Sequence, residues 1–172
     1  RCLQSEDYLA VEIPVRGEWY SLIVMLPGEG QALSALRSRL SGRSFHQLVQ
    51  RMASQPVELH LPRFSARSSF ELGTTLAALG MAKAFDSQAA DFSGINAQKN
   101  LFIDKVFHEA LVDVNESGIE ASAATTVVMR LKSAARPPGV VIRVNRPFLF
   151  ALCVRRTGSI IFLGQVVHPQ QE

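Results

Sequence analysis

The side chains best suited to proton transfer, metal ligation or nucleophilic attack are His46, His60, His108, His168, Cys2 and Cys153. Their spacing supports none of these chemistries. A zinc-type ion needs several ligands gathered by short Cys or His spacings, and no such cluster occurs. A serine nucleophile needs a positioned base, and no Gly-x-Ser-x-Gly elbow is present among the scattered Ser and Asp residues. Cys153 sits in the apolar run FLFALCV (148–154), where a thiol serves as a small buried hydrophobe rather than a nucleophile. Two cysteines make neither a disulfide framework nor a metal site, and whether they pair is left open. Pro27-Gly28-Glu29-Gly30 lacks the Gly-Lys-Ser/Thr ending of a phosphate loop and reads as a turn. The remaining chemistry is that of exposed cations: Arg130, Lys132 and Arg136 precede Pro137-Pro138 in a long segment without clear structure.

The elements around that segment are legible from periodicity. With 172 residues, 47% hydrophobic and 19% charged, the chain is one domain or a large piece of one, and can bury a core. A net charge of +3 is too weak a bias to imply nucleic acid. No apolar run approaches the ~18 residues of a membrane helix, which argues against a membrane partner. The chain begins at Arg1 without an initiator Met or signal peptide and reads as an excerpt or processed piece. Tyr8–Pro14 and Trp19–Leu26 predict a hairpin. Leu33, Leu36 and Leu40, then Phe45, Leu48, Val49 and Met52, predict two short helices broken at Ser41-Gly42. Pro56–Phe64 alternates, with Val57, Leu59 and Leu61 on one face. Leu72, Leu76 and Leu79 predict a helix ending at Gly80. Residues 86–100 read as loop, and Leu101–Val114 as containing a long strand. Val140–Val144, Phe148–Val154 and Ile160–Val167 predict three more strands. The class is α+β, without an internal repeat or a domain linker.

Residues 115–139 read NESGIEASAATTVVMRLKSAARPPG, and a connection this long is often functional. Gly118 offers a hinge. Read with period two, Ile119, Ala121, Ala123, Thr125, Val127 and Met129 fall on one nearly apolar face. Glu120, Ser122, Ala124, Thr126, Val128 and Arg130 fall on the other. That is the pattern of a strand in a sheet covered on one side, built from side chains small enough to enter a packed sheet. An Ala-rich loop or a short helix is the competing reading.

At this point the sequence resembles a serpin. Glu116-Ser117-Gly118-Ile119-Glu120-Ala121-Ser122-Ala123-Ala124-Thr125 is similar to that family's reactive-loop hinge, Glu-Glu-Gly-Thr-Glu-Ala-Ala-Ala-Ala-Thr. Asn145-Arg146-Pro147-Phe148 resembles its Asn/Asp-x-Pro-Phe motif after the loop. Ile160 to Val166, followed by His168-Pro169, resembles its C-terminal strand. Leu61-Pro62-Arg63-Phe64, Leu79-Gly80-Met81, Phe85 and Asp91-Phe92-Ser93-Gly94-Ile95 match further segments in the same order. Each motif is weak alone; the ordered set is specific. It runs from about Tyr8 to Pro169, while a serpin domain is about twice this length. The resemblance therefore implies that residues 1–172 are the C-terminal part of a single serpin domain, with the reactive-centre loop at about 116–139 and the N-terminal half absent from this chain and required as a partner.

What the resemblance implies is a protease inhibitor and not an enzyme, without a cofactor. A serine protease cleaves the loop as bait, and the freed hinge inserts into a sheet as a new strand, carrying the acyl-enzyme with it. The family spacing of 14 residues beyond the hinge glycine gives Lys132 before the scissile bond and Ser133 after it. A basic residue there suits a trypsin-like pocket; Arg130 and Arg136 are competitors, and a solvated loop charge is the bland alternative. The hinge is then Glu116, Gly118, Ile119, Glu120, Ala121, Ala123, Ala124 and Thr125. Arg63 stands where the family often has a Lys tethering the hinge glutamate, here Glu116. His108, eight residues before Glu116, stands where the family has a sheet-opening histidine, or else is a satisfied core histidine. Ile119 replaces the usual Thr or Ser; its bulk is expected to oppose fast insertion, whereas its apolar character suits a buried face. Two rivals share the fold: a non-inhibitory binding or carrier serpin, and an inactive truncated fragment cleaved as a protease substrate. The expected setting is extracellular or periplasmic, and a glycosaminoglycan partner is left open, because the basic helix that some members use for heparin lies outside this chain.

Overall fold

The computed structural model describes residues 1–15, 17, 19–115 and 139–169, and the backbone of 118–120. The longest apolar run, Tyr20–Pro27 (β3), explains the architecture. A strand apolar at nearly every position must be covered on both faces, and β3 is buried from Ser21 to Pro27. It pairs antiparallel with β2 (Tyr8–Pro14) on one side, as the predicted hairpin, and with β9 (Phe148–Val154) on the other. With β1 (Cys2–Gln4) and β10 (Ile160–Val166) at the edges, the five-stranded antiparallel sheet has the order β1-β2-β3-β9-β10. Trp19 is left out of the strand and is 69% exposed.

The alternation of β3 and β9 divides the core into two clusters. Leu22, Val24, Leu26, Phe148 and Phe150 join Val11, Phe64, Val112, Val114, Ile142 and Val144. Ile23, Met25, Leu149, Ala151 and Cys153 join Leu36, Phe45, Leu48 and Met52. Leu36 comes from helix α1 (Leu33–Arg39), Phe45 and Leu48 from α2 (Gly42–Arg51), and Met52 caps the end of α2. The break at Ser41 is a cap: Ser41 Oγ accepts from Ser44 N, and Ser44 Oγ accepts from Ser41 N at 2.8 Å. This reciprocal pair satisfies two amides that the first helical turn cannot.

Two smaller sheets complete the strand set. β4 (Val57–His60) pairs in parallel with β8 (Val140–Arg143), and β5 (Phe64–Glu71), β6 (Phe107–Asn115) and β7 (Gly118–Glu120) follow in that order. Here the sequence reading needs correction. The predicted strand Pro56–Phe64 stops at His60, because Pro62 has no amide to donate to a ladder. Phe64 instead opens β5, whose serine-rich run FSARSSFE carries no clear alternation. The long strand expected within Leu101–Val114 is Phe107–Asn115.

The chain divides into two compact units, residues 1–66 with 112–172, and residues 67–111. In the second, α3 (Gly73–Leu76) leads through a wide turn at Ala77–Met81 into α4 (Ala82–Phe85), with Gly80 at φ +108° marking the kink. The predicted loop 86–100 is a series of side-chain-closed turns, in which Asp86, Asp91 and Asn96 each accept from the amide two residues on. Lys99 bonds Asp91 at 2.8 Å and, with Ser93, holds that carboxyl well below the usual range. No helix among the described residues is long and apolar enough to cross a membrane.

One ionised group is buried in the sheet of the first unit. Glu12 in β2 has a side chain only 3% exposed, with Arg1 Nε at 2.5 Å and Arg155 Nε at 3.5 Å. Burial alone would raise its pKa. Hydrogen bonds from Arg1 and Ser21 and the charges of Arg1 and Arg155 outweigh burial and hold it below its ordinary value of 4.5. A depressed folded value means that the carboxylate stabilises the fold above the unfolded value and loses that contribution as pH falls through the folded one. Glu12→Gln should therefore cost about 1–3 kcal/mol at neutral pH and flatten the acid limb of stability. Urea unfolding of both proteins across pH reads this; parallel acid limbs would refute it.

Candidate functional site

The segment 116–139 is held at both ends by strands. At its entry, β7 returns antiparallel beside the end of β6, with Asp113 opposite Glu120, Val114 opposite Ile119 and Asn115 opposite Gly118. Val112 and Val114 are buried, so the entry is anchored in the core of the first unit. The backbone is thus strand from Gly118, the expected hinge glycine, to Glu120.

At the exit the fixing is steric and hydrogen-bonded. Val140 N donates to Pro56 O at 3.1 Å and Val144 N to His60 O at 2.8 Å, bracketing the β4–β8 ladder. A side chain at Gly139 would place its Cβ 2.6 Å from Pro56 O, so only glycine passes there. Beyond β8, Arg146 Nε and Nη2 both donate to Pro27 O, at 3.2 and 3.0 Å. This fork clamps the Asn-Arg-Pro-Phe turn to the end of β3 and delivers Phe148 into β9, fully buried against Phe64 at a ring separation of 5.3 Å. Gly139 and the clamping role of Arg146 were not read from sequence, since both depend on which strands lie alongside.

The expected bait residues Lys132 and Ser133 lie outside the described residues, as do the expected hinge residues Glu116, Ala121, Ala123, Ala124 and Thr125. Gly118, Ile119 and Glu120 are described by backbone alone. Arg63 lies between β4 and β5 and is exposed; its expected partner Glu116 is not among the described residues. His108 is exposed on β6. It falls in the exposed first half of the strand, whereas burial begins at Val112. Cys2 and Cys153 are both free and buried, and lie in different core clusters. Burial, with the Glu12 charge beside it, pushes the Cys153 thiol up to about 11, which leaves it inert at neutral pH. No group of His, Cys, Asp and Glu among the described residues could hold a metal ion.

Comparison with known proteins agrees with this strand arrangement. The family model described as Serpin (serine protease inhibitor) matches residues 2–169. Serpin B10 of Papio anubis is 36% identical over 169 residues, which is 97% of this chain and 42% of that protein. Intracellular coagulation inhibitor 2 of Tachypleus tridentatus is 37% identical over 156 residues, 91% of this chain and 38% of that protein. Among solved structures, the thermophilic serpin tengpin in its native state superposes with a TM-score of 0.74 at 30% identity, covering 96% of this chain and 43% of that one. Thyroxine-binding globulin in complex with thyroxine gives 0.75 at 26% identity, covering 96% and 42%. The chain thus spans about two fifths of the length of the relatives it matches. Its three sheets and a match running almost from end to end make it a member of the serpin family, carrying part of the serpin fold.

Proposed function

We propose that the full-length protein is a serine protease inhibitor that traps its target as a suicide substrate, and that this chain is the C-terminal part of its single serpin domain. The observation that carries the reading is β7: the hinge backbone from Gly118 lies antiparallel on β6, where an inserting strand would have to grow. Residues 121–125 are Ala or Ser with one Thr, the side chains that a closing sheet accommodates at least cost. In this reading the loop spans about 116–139, Lys132 enters the pocket of a trypsin-like protease, and the bond to Ser133 is cut. The Lys cation would pair with a buried aspartate of the protease. Glu116 and Arg63 tether the uncleaved hinge, and His108 takes part in opening the sheet. The N-terminal half supplies the strand on the far side of the insertion site.

Among the relatives is one named as an intracellular inhibitor, so an extracellular or periplasmic setting does not follow from the family. The test is to mix the full-length protein with trypsin and run a denaturing gel with mass spectrometry of the released peptide. The expected result is a denaturation-resistant band at the summed mass and a peptide beginning at Ser133. Cleavage after Lys132 without that band would favour a non-inhibitory member in which Ile119 blocks insertion. Inhibition with cleavage after Arg130 or Arg136 would keep the trap and move the bond.

A further inference from the structure

We propose that the free edge of β8 is a docking groove for an extended segment of a partner protein, which carries one acidic and one basic side chain and adds to β8 as a further strand. The hydrogen bonds between β4 and β8 fix which way β8 faces. The pairing is parallel, with Val57 opposite Val140 and His60 opposite Arg143. Val140 N donates to Pro56 O and, four residues on, Val144 N donates to His60 O. Ladder bonds alternate along a strand, so the amides and carbonyls of Val141 and Arg143 point away from β4. Among the described residues neither has a backbone partner on that side.

An open groove of about 610 Å³ runs along this edge, lined by all four residues of β8 and by none of β4. Its facing wall is a pair of turns locked together. Gly28 N donates to Asp7 O at 2.8 Å, and a Cβ at Gly28 would lie 2.4 Å from Glu6 O. Leu9 and Leu26 of the core close the base. Both walls belong to the first compact unit. Glu6 and Glu29 stand on the turn wall and Arg143 on the β8 wall. All three are exposed, and among the described residues their side chains make no hydrogen bond or ion pair. Arg146, further along, is engaged by Pro27 O. Unpaired main-chain groups two residues apart recognise a strand. Opposite charges on the two walls select a strand that carries both signs, because a segment of one sign meets a like charge on one side.

The groove uses none of the residues assigned to the protease trap. Its test is fluorescence anisotropy of the full-length protein with capped, fluorescein-labelled hexapeptides of Val and Thr. Peptides with one Glu and one Lys at every pair of positions are compared with peptides carrying two Glu or two Lys. The best binder is then N-methylated at every second amide, in each of the two registers. The expected result is saturable binding by a Glu/Lys peptide, with like-charged peptides at least about tenfold weaker. N-methylation in one register should cost about tenfold and in the other little. Val141→Pro removes a groove-facing amide without touching a bond to β4, as an edge strand tolerates, and should also weaken binding about tenfold. Arg143→Glu, an exposed substitution that keeps the test decisive if the proline variant fails to fold, should move the preference to peptides with two Lys. The proposal is overturned if no Glu/Lys peptide binds saturably, if the two N-methylation registers act alike, or if Arg143→Glu keeps the parental preference. A dimer of the full-length protein that Arg143→Glu dissociates, seen by sedimentation, would also overturn it, since the groove would then hold a second copy.

Discussion

Ala123→Glu in the full-length protein is expected to abolish the covalent protease complex while leaving the loop cleavable. The register of β7 sets the parity: Ile119 stands opposite Val114, a core position only 7% exposed. Ala121, Ala123 and Thr125 continue that parity in sequence. A carboxylate carried into the sheet at Ala123 would be desolvated without a partner, at a cost of about 3–5 kcal/mol. Even about 3 kcal/mol in the barrier to insertion slows it more than a hundredfold, and hydrolysis of the acyl-enzyme then wins. Ser122→Glu falls on the opposite parity and should retain the complex. Denaturing gels of the three proteins with trypsin decide the matter: a band of parental intensity from Ala123→Glu would end the insertion reading.

Phe150→Ala is expected to destabilise the fold by about 3–5 kcal/mol, a large share of the roughly 5–15 kcal/mol that holds a typical domain together. Phe150 is 2% exposed and packs its ring 5.1 Å from that of Phe64. Its other neighbour is backbone. Phe150 pairs across β9–β10 with Gly164, and a Cβ at Gly164 would fall 2.5 Å from Phe150 Cζ. Gly164→Ala should therefore cost about 1–3 kcal/mol by overpacking. Because the added methyl would occupy the space vacated by the ring, the double variant should be more stable than the sum of the two losses implies. Urea denaturation of all four proteins measures the coupling, and strict additivity would show that ring and glycine do not contact.

How much was legible in the sequence can be judged residue by residue. The β2–β3 hairpin, both helices and the Ser41 cap were readable because their signals are local. β9 was readable because FLFALCV is apolar at every position. β5 was missed because FSARSSFE offers no clean alternation; its strand character comes from β6 beside it. The long strand within Leu101–Val114 was readable, but its start at Phe107 was not, because Leu101–Val106 has strand-like composition without a ladder. Of the candidate site, the hinge glycine falls where a strand begins, whereas Gly139, the Arg146 clamp and the Glu12 cluster are consequences of which strands become neighbours. A lone glutamate in YLAVEIP was the available hint, since an ionised group in a buried strand needs a cation to meet it.

The pairing of β3 with β9 joins opposite ends of the chain, and it has a consequence for biosynthesis. A ribosome releases β2 and β3 well before β9, the strand that covers the free edge of β3. Until then the most apolar ribbon of the molecule waits with an unsatisfied ladder, in the state most open to wrong pairing with a neighbouring nascent chain. Closure depends on a contact of very long sequence separation, which is slow to find. A stop codon placed before β9 would leave that ribbon uncovered permanently, so such truncations should appear in cells as aggregated or degraded protein rather than as a shorter soluble one.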